Sequence, residues 1–108
     1  MSNGEIAWYL YCLTPSASGI QASAVGVDGQ HPVWVRACGQ IGAVIGEVEL
    51  GEFCGEAAEA CLADLAWLGP RVCRHEAVIE EVMRQTPVLP ARFATLFTSP
   101  DSLEQSVL

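Results

Sequence analysis

Residues 68–93, LGPRVCRHEAVIEEVMRQTPVLPARF, gather four of the chain's five arginines, one of its two histidines and one of its five cysteines. Three kinds of chemistry suit such a cluster. Cys73 as nucleophile, His75 as base and Glu76 as orienting carboxylate would make an acyl-transfer set. Cys73 and His75 form a C-x-H that could begin a zinc site. Alternatively, the arginines and Glu76 could build a polar framework or a partner surface, because a guanidinium grips a carboxylate with two bonds.

Helical geometry separates these readings. At about 100° per residue, Val72, Val78, Ile79, Val82 and Met83 share one arc, with His75 near its middle and Glu76 at its edge. Arg74, Glu80, Glu81 and Arg84 fall on the wet side, and Glu80 and Arg84 have the favourable i, i+4 order. Cys73 and His75 stand about 200° apart, so nucleophile and base do not face each other. Helical metal sites use i, i+3 or i, i+4 ligands, whereas His75-Glu76 is followed by Ala-Val-Ile. No catalytic set and no metal site is expected. A buried His75 satisfied by hydrogen bonds to the sheet or a nearby loop is the better reading.

The other candidates are weaker. GVDGQHP lacks the spacing and the lysine of a phosphate loop. AWYLY could stack bases, but a core strand explains it better in an acidic chain. The acids from 47 to 64 lack the register of a calcium loop and read as a solvated face.

The elements that must position these residues follow from periodicity. EIAWYLYCL alternates Ile6-Trp8-Leu10-Cys12 with Ala7-Tyr9-Tyr11-Leu13, a strand. Residues 14–32 are loop, with a short fragment of structure around Ile20 to Val27. VWVRAC and IGAVIGEVEL flank Gly39-Gln40, which predicts a type II′ hairpin. Gly42 and Gly46 in the second strand mark a bulge or a close backbone approach.

From about Glu52 the period becomes helical, with Ala58, Cys61, Leu62, Leu65 and Leu68 on one side and Glu52, Glu56, Glu59 and Asp64 largely on the other. Gly69 is expected to stop that helix and Pro70 to open the next, which runs to about Arg84 or Gln85. Pro87 and Pro90 confine a strand-like piece, ARFATLF alternates as a strand, and Ser99 caps a last helix. The expected fold is α+β: a mainly antiparallel sheet of three to four strands, helices on one face, in a ferredoxin-like topology. The finish in a fresh helix, SLEQSVL, suggests that a longer protein continues.

Composition narrows the partners. One domain over residues 1–108 is expected, and the 51% hydrophobic content is ample for a core. Thirteen acids face five arginines and no lysine, a formal charge of -8, which disfavours nucleic acid and anionic membranes. The polar start, Met1 to Glu5, has no signal-peptide pattern, no apolar run could span a bilayer, and a cytoplasmic chain is expected. Five cysteines (12, 38, 54, 61 and 73) without CxxC pairs point to reduced, buried thiols.

DLAWLGPRVCRHEAVIEEVMRQTPVLPARFATLFTSPDSL resembles the signature region of the gas vesicle GvpL/GvpF family, where a helix with an R-x-x-x-H-E core leads into xVLPxRFGTxF and another helix. The matching residues are Arg71, His75 and Glu76, then Val88-Leu89-Pro90, Arg92-Phe93, Thr95 and Phe97. WYLYCLTP, GVDG and GAVIGEVEL fit the family's N-terminal domain, so the resemblance covers nearly the whole chain. Ala94 stands where many members have glycine, read here as a mild change. The resemblance implies a second α+β domain in the family that these residues do not include, as in an isolated N-terminal domain or a short member.

The resemblance implies a non-enzymatic accessory or minor structural protein of gas vesicle formation. It would contact the shell protein GvpA and other gas vesicle proteins, without cofactor or small-molecule substrate. On this reading Arg71, His75, Glu76 and Arg92 form a polar network tying the second helix to ARFATLF, or frame a partner surface. Two alternatives stand beside it: a small-molecule-binding regulatory domain with a polar pocket under the hairpin, and an enzyme using His75.

Overall fold

The computed structural model describes residues 5–53 and 56–107. Met1 to Gly4, Cys54 and the side chains of Glu56 and Ala58, all part of the sequence reading, lie outside the described residues.

The aromatic strand is the centre of the sheet. β1 (Ile6–Thr14) pairs antiparallel with β3 (Ile41–Glu49), and β3 pairs with β2 (Val33–Cys38). On its other side β1 carries two short strands, β4 (Leu89–Pro90) and β5 (Leu96–Phe97), in the order β2-β3-β1-β4. With helices α1 (Glu56–Leu62), α2 (Leu65–Met83) and α3 (Pro100–Val107), the fold is α+β, as expected. The antiparallel order β2-β3-β1-β4 is the one a ferredoxin-like sheet would have, but that topology is not confirmed, because residues 15–32 between β1 and β2 form loop where it has a helix.

The Gly39-Gln40 turn forms as predicted, with Cys38 paired to Ile41 and Gly39 at φ +62°. Gly42 and Gly46 mark close approaches. A Cβ at Gly42 would lie 2.3 Å from Thr14 Oγ1 and 2.8 Å from the Ser16 carbonyl oxygen. The loop after β1 therefore crosses directly over β3.

Three expectations are corrected. First, β1 does not alternate throughout: the register slips between Leu10 and Cys12, a bulge at Tyr11. Tyr11 and Cys12 both pack on the α2 side, while Leu13 joins Trp8 and Leu10 opposite. Second, α2 does not begin at Pro70. Asp64 is its cap, its side chain accepting the Ala66 N–H, so Gly69 and Pro70 lie inside the helix. A proline so near the start removes only the bond to the Ala66 carbonyl, and tertiary packing outweighs that loss. Third, ARFATLF is not one strand, because Ala94 turns left-handed at φ +66° and leaves only Leu96–Phe97 paired.

The helices also divide between faces. Val78, Ile79 and Val82 of α2 pack on Ala7, Tyr9, Tyr11, Val44 and Val48, whereas Leu103 of α3 covers Leu10, Ala43 and Ile45 on the other side. Arg36 of β2 fixes α3 by a 2.9 Å ion pair to Glu104 and lies over the Trp8 ring. Ser99 caps α3 as predicted, accepting the Ser102 N–H at 3.1 Å.

Candidate functional site

His75 sits where α2 meets β1 and is 2% exposed. Both ring nitrogens are engaged: Nε2 lies 3.1 Å from the Ala91 carbonyl oxygen and Nδ1 lies 2.8 Å from the Tyr9 hydroxyl. A carbonyl only accepts, so Nε2 carries the proton and Nδ1 accepts from Tyr9. The Tyr9 oxygen in turn accepts the Ala94 N–H at 3.0 Å. The series Ala94 N–H, Tyr9 O–H, His75, Ala91 C=O thus stitches the 91–94 segment to α2 and β1.

Burial lowers the pKa of His75, with the Ala91 bond opposing, so the ring is held neutral. Burial also raises the Tyr9 hydroxyl well above its ordinary value. Phe93 and Tyr11 lie against the imidazole, with centroids 5.8 Å away in each case. In this arrangement neither nitrogen of His75 is left to take up a proton from a bound molecule.

The four-residue network expected around His75 does not assemble. Arg71 folds back on α2, donating to the Trp67 carbonyl at 2.9 Å and lying 4.2 Å from the Trp67 ring, with Glu52 at 3.4 Å. Glu76 is exposed and acts on His75 only through its field, favouring the charged form. Arg92 is exposed, and its guanidinium makes no hydrogen bond or ion pair to a described residue. Glu76 and Arg92 both reach solvent, and the backbone turns left-handed at Ala94, two residues after Arg92. Tyr9, Ala91 and Ala94 take the roles assigned to them. AWYLY held the signal, since a buried tyrosine must find a polar partner.

The outward face of α2 is not simply wet. Glu81 accepts the Ser23 and Ala24 N–H groups at 3.0 Å and the Ser23 hydroxyl at 2.6 Å. Burial opposes the charge, but these bonds hold the Glu81 carboxyl below its ordinary pKa. Gln85 exchanges two hydrogen bonds with the Gln21 backbone, and Arg74 donates to the Val27 carbonyl at 3.1 Å. No Glu80–Arg84 ion pair forms among the described residues. Met83, expected on the buried arc, is 56% exposed.

From the sheet side, Tyr11 accepts the Val27 N–H at 2.8 Å, and burial pushes its hydroxyl up to about 12. Asp28 closes the same loop by accepting the Gln30 and His31 N–H groups at 2.9 and 3.0 Å, and pairs with the His31 ring. Burial would raise the Asp28 carboxyl, yet these bonds hold it below its ordinary value. The D-x-x-H spacing after Val27 makes this turn legible.

Of the described cysteines, Cys12 and Cys38 are buried as expected, whereas Cys73 is exposed. Among the described residues no three His, Cys, Asp or Glu side chains converge as metal ligands, and no helix is long and apolar enough to cross a membrane.

An open apolar groove of about 280 Å³ lies at the far end of β1, lined by Leu13, Thr14, Pro15, Ile41, Pro87, Val88 and Leu89. Sequence reading did not find it, because its walls come from three separate segments.

The family model for gas vesicle synthesis protein GvpL/GvpF matches residues 7–108. The chain belongs to this family. Gas vesicle protein L of Streptomyces sp. (strain CB03234) is 36% identical over 89 residues, covering 82% of this chain and 33% of the relative. The chain thus spans about a third of the length of that curated relative. No solved structure matches it. The match takes in the whole arrangement above, from β1 to α3. Ala94 also gains weight: it is the one described non-glycine residue with positive φ, so the alanine expected to be a mild change from glycine sits in a backbone conformation that favours glycine.

Proposed function

We propose that this chain is a non-enzymatic accessory or minor structural component of gas vesicle formation and that it contacts the shell protein GvpA. The observation that carries the proposal is the family match over residues 7–108. The polar chemistry of the described residues supports it. His75 and Tyr9 use their polar atoms to hold α2, β1 and residues 91–94 together.

On this reading the chain corresponds to a single N-terminal α+β domain of the family and works in the cytoplasm, at the growing vesicle. Arg92 and Glu76, both exposed, belong to a partner surface, while Arg71 and His75 shape the scaffold behind it. The ligand-binding alternative has the apolar groove in its favour, but the one side-chain polar group on its wall, the Thr14 hydroxyl, already donates to the Ser16 carbonyl at 2.7 Å. Nothing there would orient a polar metabolite.

The test is deletion of the gene in a vesicle-forming host, followed by complementation. Loss of buoyancy on deletion, restored by the wild-type gene, is the expected result. Normal vesicles in the deletion strain, with no relative to substitute, would overturn the assembly role. Complementation by a folded Glu76→Ala/Arg92→Ala variant would remove those two residues from the partner surface.

A further inference from the structure

The acids of this chain are unevenly placed. Segments 6–27, 29–46 and 82–100 contain no aspartate or glutamate, and these three segments supply every wall of the apolar groove. The sheet shows the same polarity. Ile6 pairs with Glu49 and Trp8 with Glu47 at one end of β1, whereas Leu13 pairs with Ala43 and Leu89 at the other. Nine residues of strand span about 30 Å, several times the roughly 8 Å over which charge is screened at physiological salt. A ligand at the groove is therefore shielded from the acidic end.

Two arginines flank the segment 87–89. Arg84 and Arg92 each lie three residues from it, within about 11 Å of Cα travel. Both are exposed, and neither guanidinium makes an ion pair or hydrogen bond to a described residue. Arg36, Arg71 and Arg74 are engaged with Glu104, Glu52 and the Val27 carbonyl. The nearest acids on α2 are Glu81, which is bonded to Ser23 and Ala24, and the exposed Glu80. On the groove's rim Leu89 is 67% exposed and continues the apolar lining of Leu13, Pro15, Pro87 and Val88 onto the surface.

We propose that this groove docks a short apolar polypeptide segment flanked by carboxylates, with Leu89 packing against the apolar part and Arg84 and Arg92 meeting the acids. This deepens the assembly reading and rests on it: the segment belongs to the vesicle shell subunit. Charge selects the site, since a segment bearing acids is repelled by the rest of a chain of formal charge -8 and accepted where its acid-poor segments meet, with the neighbouring Glu104 already paired to Arg36.

The test uses two labelled peptides, a six-residue Leu/Val/Ile run flanked by paired glutamates and the same run flanked by paired lysines. Fluorescence anisotropy is expected to show saturable binding of the glutamate-flanked peptide. Leu89→Asp should weaken it about tenfold or more, and Arg84→Glu/Arg92→Glu several-fold. Unchanged thermal melts certify the folds, with Leu89→Ser as the second variant should the aspartate disturb β4. Equal affinity in wild type and Leu89 variants, or stronger binding of the lysine-flanked peptide at the same groove, overturns the proposal. So does a wild-type dimer in sedimentation that Leu89→Asp dissociates, which would make a second copy the occupant. In the deletion host, full rescue of buoyancy by Leu89→Asp would sink the docking site and leave the assembly role intact. Buoyancy without any copy of the gene would sink the role itself.

Discussion

Replacing Tyr9 by phenylalanine deletes one oxygen, and with it two bonds. That oxygen is fully buried, donates to His75 Nδ1 at 2.8 Å and accepts the Ala94 N–H at 3.0 Å. A buried donor or acceptor left unpaired costs about 1–3 kcal/mol. His75 Nδ1 lies in the core, while the Ala94 N–H is only partly buried and belongs at the low end of that range. The sum is about 2–3 kcal/mol, which for a domain near this size lowers Tm by roughly 8–24 °C. Urea unfolding followed by tryptophan fluorescence would measure it, with an unchanged slope showing that the folded state survives. Tyr11→Phe is the internal comparison, since among the described residues the Tyr11 oxygen serves the Val27 N–H alone. A loss below about 0.5 kcal/mol for Tyr9→Phe, or a larger loss for Tyr11→Phe, would refute the reasoning, because neither fits the orphaning of two groups against one.

Ala94→Gly should stabilise the protein by about 0.5–1 kcal/mol. Relief of roughly 1–2 kcal/mol of left-handed strain is partly offset by the extra freedom of an unfolded glycine; a fall in Tm would refute it. Glu81→Ala should speed amide hydrogen exchange at Ser23 and Ala24, which donate to that carboxylate, while leaving Val44 protected. The two histidines should act oppositely with pH. His31 is raised above its ordinary 6.5 by its bond to Asp28, so its contribution is full below pH 6.5 and fades as pH rises through the raised value. The deficit of His31→Ala should therefore shrink as pH rises above 6.5 in thermal melts. His75 is lowered by burial, so its contribution is full above pH 6.5 and is lost as pH falls through the lowered value.

Legibility differed by the range of the forces involved. The hairpin at Gly39-Gln40, the tight glycines of β3 and the Ser99 cap are decided within a few residues, and the sequence shows them directly. The start of α2 was misread because Pro70 favours a helix start locally, while the Asp64 cap and the packing of Val78, Ile79 and Val82 extend the helix over it. The burial of His75 was legible from its arc. Its partners were not, because Tyr9, Ala91 and Ala94 converge from distant segments. The expected network did not form: Glu76 and Arg92 both reach solvent, and the backbone turns left-handed at Ala94.

The bulge at Tyr11 reaches beyond this one molecule. Tyr9 and Tyr11 share a face by simple alternation, Tyr9 holding residues 91–94 and Tyr11 holding Val27, and the bulge then turns Cys12 onto that face and Leu13 off it. Losing one residue between Leu10 and Cys12 would straighten the ladder yet strip the second loop of its anchor, and gaining one would throw Cys12 and Leu13 onto each other's faces. Length changes are thus barred from β1, and in the 15–32 connection they are confined to the stretches between its anchors at Ser16, Gln21, Ser23, Ala24 and Val27. For comparing relatives, the spacing from Tyr9 to Thr14 is the fixed ruler, and gaps belong between those anchors.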